Sequence, residues 1–110
     1  MATPTKTEWL VILPDLKDAL PRRMSVRPQH IEALKPNVDA GNFVLAGVTL
    51  DEPITPSKLP SINGSVLLVV AATREDVLEI VKKDIYNENN VWDWEKAQII
   101  PFKSAARSAL

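Results

Sequence analysis

The chain has 110 residues, 45% of them hydrophobic and 25% charged, the balance of one ordinary globular domain. Its 13 basic and 14 acidic residues give a formal charge of −1 with no block of either sign, which excludes an electrostatic grip on nucleic acid or on an anionic membrane. No cysteine, one histidine and three scattered glycines likewise exclude disulfides, thiolate chemistry, multi-histidine metal sites and a Gly-rich phosphate loop.

A carboxylate-only Mg²⁺ or Ca²⁺ site stays formally open, but no metal or cofactor is expected. No apolar run approaches the ~20 residues of a spanning helix, and MATPTKTEW lacks the basic-then-apolar plan of a signal peptide. The final SAL matches a peroxisomal address only weakly, because Ala109 stands where a basic residue belongs. The expectation is a single cytoplasmic domain over 1–110, with its core at about 8–103 and flexible termini.

Glu8 to Pro14, EWLVILP, is short, aromatic and β-branched and reads as a strand. Asp15 to Met24 is polar and carries Pro21, which predicts a loop with at most a helical turn. From Pro28, the apolar residues Ile31, Leu34 and Val38 recur at helical spacing, with Gly41 as the stop and a kink expected at Pro36. Phe43 to Leu50 is a second strand, followed by the Pro-rich connection DEPITPSKLPS. Gly64 to Ala72 is the strongest strand pattern. Thr73 is a good N-cap for REDVLEIVKKD, with acids in the first turn and lysines in the last. YNENNVWD reads as a loop, Trp94 to Phe102 as the last strand, and KSAARSAL as a frayed tail.

The order β-α-β-β-α-β predicts a ferredoxin-like α+β fold: four antiparallel strands with both helices on one face. Val66 to Val70 shows no polar alternation, so both faces of that strand should be buried. The helices cover one. A second subunit packed sheet on sheet is the simplest cover for the other, and a homodimer is expected; the 51–61 loop and the tail are the alternative cover.

His30, at a helix entrance under this assignment, feels the positive end of the helix dipole, and Arg27 adds to it. Both favour the neutral imidazole that can act as a general base. Asp84 falls at the end of the second helix, where the dipole disfavours a carboxylate. In this fold both helices lie on one side of the sheet, so the two residues could meet, with the carboxylate orienting the ring. Plainer roles stand beside these. His30 can be a packing or surface residue, Asp84 the start of a polar turn, and Arg27 a solvated charge. Trp92 and Trp94 serve as core or dimer packing or as the wall of an aromatic pocket. Ser65, after Gly64, can offer a hydroxyl to a ligand, but no G-x-S-x-G makes it a nucleophile.

RPQHIEALKPNVDAGNFVLAG resembles the YCII-related domain family, whose pattern is R-P-x-H-L, a helix, a Gly and a strand ending in A-G. NGSVLLVVAA, VKKDIYNENNVW and AQIIPFK resemble its later segments in the same order. The resemblance spans about residues 8 to 103 and implies a dimeric α+β barrel with a site built on a histidine and an aspartate, here His30 and Asp84. Arg27, Ser65 and Tyr86 fall on matching motif positions as pocket residues, and Trp94 joins them as a candidate substrate contact. Two departures bear on substrate identity: Ile85 replaces the usual Pro of D-P-Y, and EPITPSKLPS lengthens one connection.

What the family resemblance implies is cofactor-independent acid–base chemistry of the lyase, dehydratase or isomerase type on a small cyclic or aromatic oxygenated metabolite, as in aromatic or polyketide metabolism. His30 would take a proton from carbon, Asp84 would hold its other nitrogen, and Arg27 or Ser65 would meet the developing oxyanion. The alternatives are a non-catalytic ligand-binding dimer and a subunit that modulates a larger enzyme.

Overall fold

The computed structural model of the chain describes residues 5–108. Its elements are β1 (Thr7–Pro14), α1 (Leu20–Asp39), β2 (Phe43–Leu50), β3 (Ile62–Ala71), α2 (Arg74–Lys82), the one-turn α3 (Ile85–Glu88) and β4 (Gln98–Phe102). The strands form one antiparallel sheet in the order β2-β3-β1-β4, which is the ferredoxin-like arrangement. The readings that bore on the leader at 1–4 and on the terminal address at 109–110 fall outside the described residues.

Register sorts the side chains onto two faces, because paired residues of an antiparallel ladder share a face. Val11 pairs with both Leu67 and Ile99, and Leu67 also with Ala46. This face carries Leu13, Val69 and Ala71 against Val26 of α1, Val77 and Val81 of α2, and Tyr86 of α3. Full burial of each Val or Leu there contributes about 1.5–3 kcal/mol. On the other face Leu10 pairs with Leu68 and Ile100, and Leu68 with Leu45. No helix covers it, and Leu45, Ile100 and Phe102 stay exposed.

β2 has the expected bounds, and Thr73 caps α2 by accepting from the Asp76 N–H at 3.1 Å. Gly41 follows α1 at φ 79°, a left-handed conformation that glycine enters at no steric cost. Where sequence and structure part, the causes are local. α1 begins at Leu20, so the segment read as a loop is its first turns, and Pro21 occupies an early position where the missing N–H has no partner to lose. The helix continues through Pro28 and Pro36. Both prolines lie on the exposed side, as do Met24 and Glu32 four residues before them, so the carbonyls left unpaired belong to solvent-facing positions.

YNENNVWD is not all loop, since α3 opens it. Trp94 lies in a 3-10 turn started by Asp93 Oδ1, which accepts from the Glu95 N–H; the last strand therefore begins only at Gln98. The tail read as frayed is engaged up to residue 108. Glu8 accepts from the Ser104 N–H at 2.7 Å and from Arg107, and residues 104–108 line a hollow with Leu10, Leu45 and Leu68 on the open face. Among the described residues, no helix is long and apolar enough to cross a membrane.

Candidate active site

Four segments meet at one end of the helix-covered face. α1 brings Arg23, Arg27 and His30, spaced four and three residues apart, onto one side of the helix. β3 brings Ser65. The turn after α2 brings Asp84 and Tyr86. The stretch 91–93 runs beside the end of β1, with Leu16 N–H donating to Val91 O at 2.7 Å and Asp93 N–H to Pro14 O at 2.8 Å, and this places Trp92.

His30 is 9% exposed, and its Nδ1 lies 2.9 and 2.7 Å from the two carboxylate oxygens of Asp84. Asp84 Oδ1 also accepts from the Tyr86 N–H at 2.9 Å. A carboxylate only accepts, so this contact assigns a ring proton to Nδ1 and, in the neutral ring, leaves the Nε2 lone pair available. The Tyr86 ring stacks on the imidazole at 3.9 Å between centroids, and Trp92 meets both rings edge-on. The ring is thus held by one bond and two aromatic neighbours.

One expectation about a helix end is overturned and the other is incomplete. His30 sits in the middle of α1, far from the N-terminal dipole, because the helix starts at Leu20 and not at Pro28. Asp84 does follow the end of α2, its N–H donating to Val81 O at 3.1 Å, but it is also the N-cap of α3, a position that suits an acceptor side chain because it satisfies a free backbone N–H. Bringing the pair together is therefore the work of packing and capping.

Behind this pair is a buried cation. Arg23 is fully buried and donates to both Asp15 oxygens, at 2.8 and 2.7 Å, and to Ser65 Oγ at 2.7 Å. Its guanidinium carbon lies 4.6 Å from the Tyr86 ring centroid. Trp92 Nε1 donates to the same Ser65 Oγ at 3.1 Å. Burial pushes the Tyr86 phenol above its ordinary 10.0, against the downward pull of Arg23 and Arg27. The phenol therefore stays protonated at neutral pH.

Arg23, Arg27, His30, Ser65 and Tyr86 line a cavity of about 180 Å³, whose apolar wall is Ile31, Leu34, Ala46, Val48 and Leu67. Arg27 is exposed and also lines the neighbouring cleft with Leu59 and Pro60 of the long connection. Trp94 does not line the cavity: it donates to Asn87 Oδ1 at 2.7 Å and lies under Lys82. A roomier hollow of about 400 Å³, under the tail on the open face, has neither an imidazole nor a carboxylate in its wall.

Arg23 and Asp15 are not marked as site residues by the sequence, whereas Trp92 is, as a possible pocket wall. Arg23 carried a usable signal, since it precedes Arg27 by four and His30 by seven, but that signal exists only if the helix is extended back across Pro21.

An antiparallel sheet with helices on one face and a buried imidazole–carboxylate pair beside a small cavity defines a ferredoxin-like α+β protein. The chain belongs to the YCII-related domain family, which it matches over residues 7–103. It is 39% identical over 104 residues to fusaric acid biosynthesis protein 2 of Gibberella fujikuroi, covering 94% of this chain and 99% of that one. It is 35% identical over 80 residues to derivative of benzaldehyde biosynthesis cluster protein C of Emericella nidulans, covering 72% and 82%. Among solved structures it resembles 5-chloro-2-hydroxyhydroquinone dehydrochlorinase from Burkholderia phenoliruptrix in complex with 2,5-dihydroxybenzoquinone. There the TM-score is 0.74 at 19% identity, over 87% of this chain and 93% of that one.

Proposed function

We propose that the protein is an acid–base enzyme acting on a small oxygenated ring compound, with His30 as the base. The observation that carries this reading is the His30 Nδ1 contact with Asp84, which frees Nε2 beside a cavity lined by cationic and hydroxyl groups. Nε2 takes a proton from a carbon next to a carbonyl, and the C–H electron pair moves onto that oxygen as an enolate or phenolate. Asp84 stabilises the imidazolium so formed. Collapse of the enolate either expels a leaving group from the adjacent carbon or accepts the proton back at a different atom, giving lyase or isomerase outcomes. Proton transfer of this kind is supplied by the imidazole itself, without a cofactor.

Size supports a one-ring substrate: an apolar cavity of about 150 Å³ holds benzene, and this one is about 180 Å³. The biosynthetic names of the relatives and the quinone bound by the structural neighbour point the same way. Arg27 at the rim favours an anionic ligand. The test is a screen of cyclic carbon acids for turnover by the wild type, His30→Ala and Asp84→Asn. The expected result is a loss of about 10²–10⁴-fold in each variant with the fold unchanged. Equal turnover in all three ends the proposal.

One observation favours a non-catalytic binding module instead. Asp84 also caps α3, and His30 stacks on Tyr86, so the pair ties α1 to α3 whether or not it moves protons. In that case His30→Ala lowers the melting temperature and no ring compound is turned over. We further propose that the open sheet face packs against a second copy, on the strength of its uncovered Leu45, Ile100 and Phe102.

A further inference from the structure

Ser65 Oγ receives two hydrogen bonds, from Arg23 Nη2 at 2.7 Å and from Trp92 Nε1 at 3.1 Å. A guanidinium and an indole N–H can only donate, while a hydroxyl has two acceptor positions and one proton. Both acceptor positions of Ser65 are therefore filled, and its proton must point away from both donors. Among the described residues no group accepts that proton. Ser65 is 3% exposed and lines the cavity, so what remains open to its O–H is the space a ligand would occupy.

We propose that Ser65 is a donor-only hydroxyl that selects an acceptor oxygen on the ligand, a carbonyl, enolate or phenolate oxygen, and that Arg23 and Trp92 are the positioning residues that fix this polarity. Neither donor is free to turn away. Arg23 is fully buried and held by both oxygens of Asp15, and Trp92 is 3% exposed. Each bond into Oγ also polarises the O–H outward, which strengthens it as a donor. An ammonium placed at the same point would meet a proton head-on. The inference rests on the function proposed above only for the place where the substrate sits.

The distinguishing experiment measures binding of a series of nitro- and polyhalophenols, all acidic enough to be fully ionised at the assay pH and so each singly charged, graded in the basicity of the oxygen. Arg27 attracts every member equally, because the charge is constant, whereas a short hydrogen bond strengthens as the oxygen grows more basic. In the wild type, affinity is expected to rise along the series. Ser65→Ala should flatten that slope and weaken the most basic member by about 10–100-fold, the range for hydrogen bonds to charged groups. Trp92→Phe, which removes one of the two donors, should give an intermediate slope.

A flat wild-type series, failure of every phenolate to bind, or a slope surviving in Ser65→Ala overturns the proposal. A Trp92→Phe slope equal to that of the wild type overturns the part given to Trp92, and Ser65→Ala carries the test alone if Trp92→Phe does not fold. A clear slope in a protein that turns over no carbon acid sinks the enzyme reading and leaves Ser65 as the donor. Turnover through His30 with no slope does the reverse.

Discussion

Tyr86 is the chain's only tyrosine, so its ionisation can be followed by ultraviolet absorbance without interference from another. Burial holds its phenol above 10.0 in the folded state. A folded-state value raised above the unfolded one means that the stabilisation is complete below pH 10 and is lost as pH climbs through the folded value. The expected record is a phenolate transition above pH 10 that moves down to about 10 in denaturant, with unfolding favoured at the alkaline end. A transition at 10 in the native protein would place Tyr86 in water and contradict the stacked arrangement with His30. The same residue shows how much of the site the sequence could give. His30 and Asp84 are legible as a possible pair because both helices lie on one side of the sheet, and Tyr86 from its motif position, but the dipole argument for a neutral imidazole fails because His30 lies in mid-helix. A packed helix interior and an N-cap hold the two together.

At the scale of elements, α1 was the hardest to read. Its inner face is not an apolar stripe but Arg23, Val26 and His30, so the periodicity that marks a helix fades where the site is. No side chain caps its start at Ala19, and no acid lies in its first turn. β2 and α2, which carry none of the cavity's charged groups, were legible because their patterns serve only packing and capping. The entry to β3 makes a sharper demand. A Cβ on Gly64 would lie 2.7 Å from Thr49 Oγ1 and 2.9 Å from the backbone oxygen of Leu13. The hydroxyl can rotate, but the carbonyl of a central strand cannot. Gly64→Ala should therefore cost about 1–3 kcal/mol, read as a drop of about 4–8 °C in melting temperature per kcal/mol. Ser65 follows directly, so ligand affinity should fall with it. Unchanged melting would mean that the strands at this point are farther apart than described.

For the whole molecule, the open sheet face carries the next expectation. Val66 to Val70 predicted a strand buried on both sides, and the tail at 104–108 meets that need in part by walling a hollow with Leu68, which is 6% exposed. Leu45 and Phe102 remain uncovered, which supports the proposed packing against a second copy. Light scattering should give twice the 12.2 kDa chain mass, and Leu45→Glu should return the chain to a monomer with its secondary structure intact. A monomeric wild type would assign the cover to the tail alone.

The role of His30 Nε2 is read out by isotope exchange. In D₂O, a cyclic carbon acid that binds in the cavity should take up deuterium at the carbon beside its carbonyl in the presence of wild-type protein. The account predicts that His30→Ala, still binding the compound, loses about 10²–10⁴-fold of that exchange rate. Exchange at the wild-type rate in His30→Ala would contradict it.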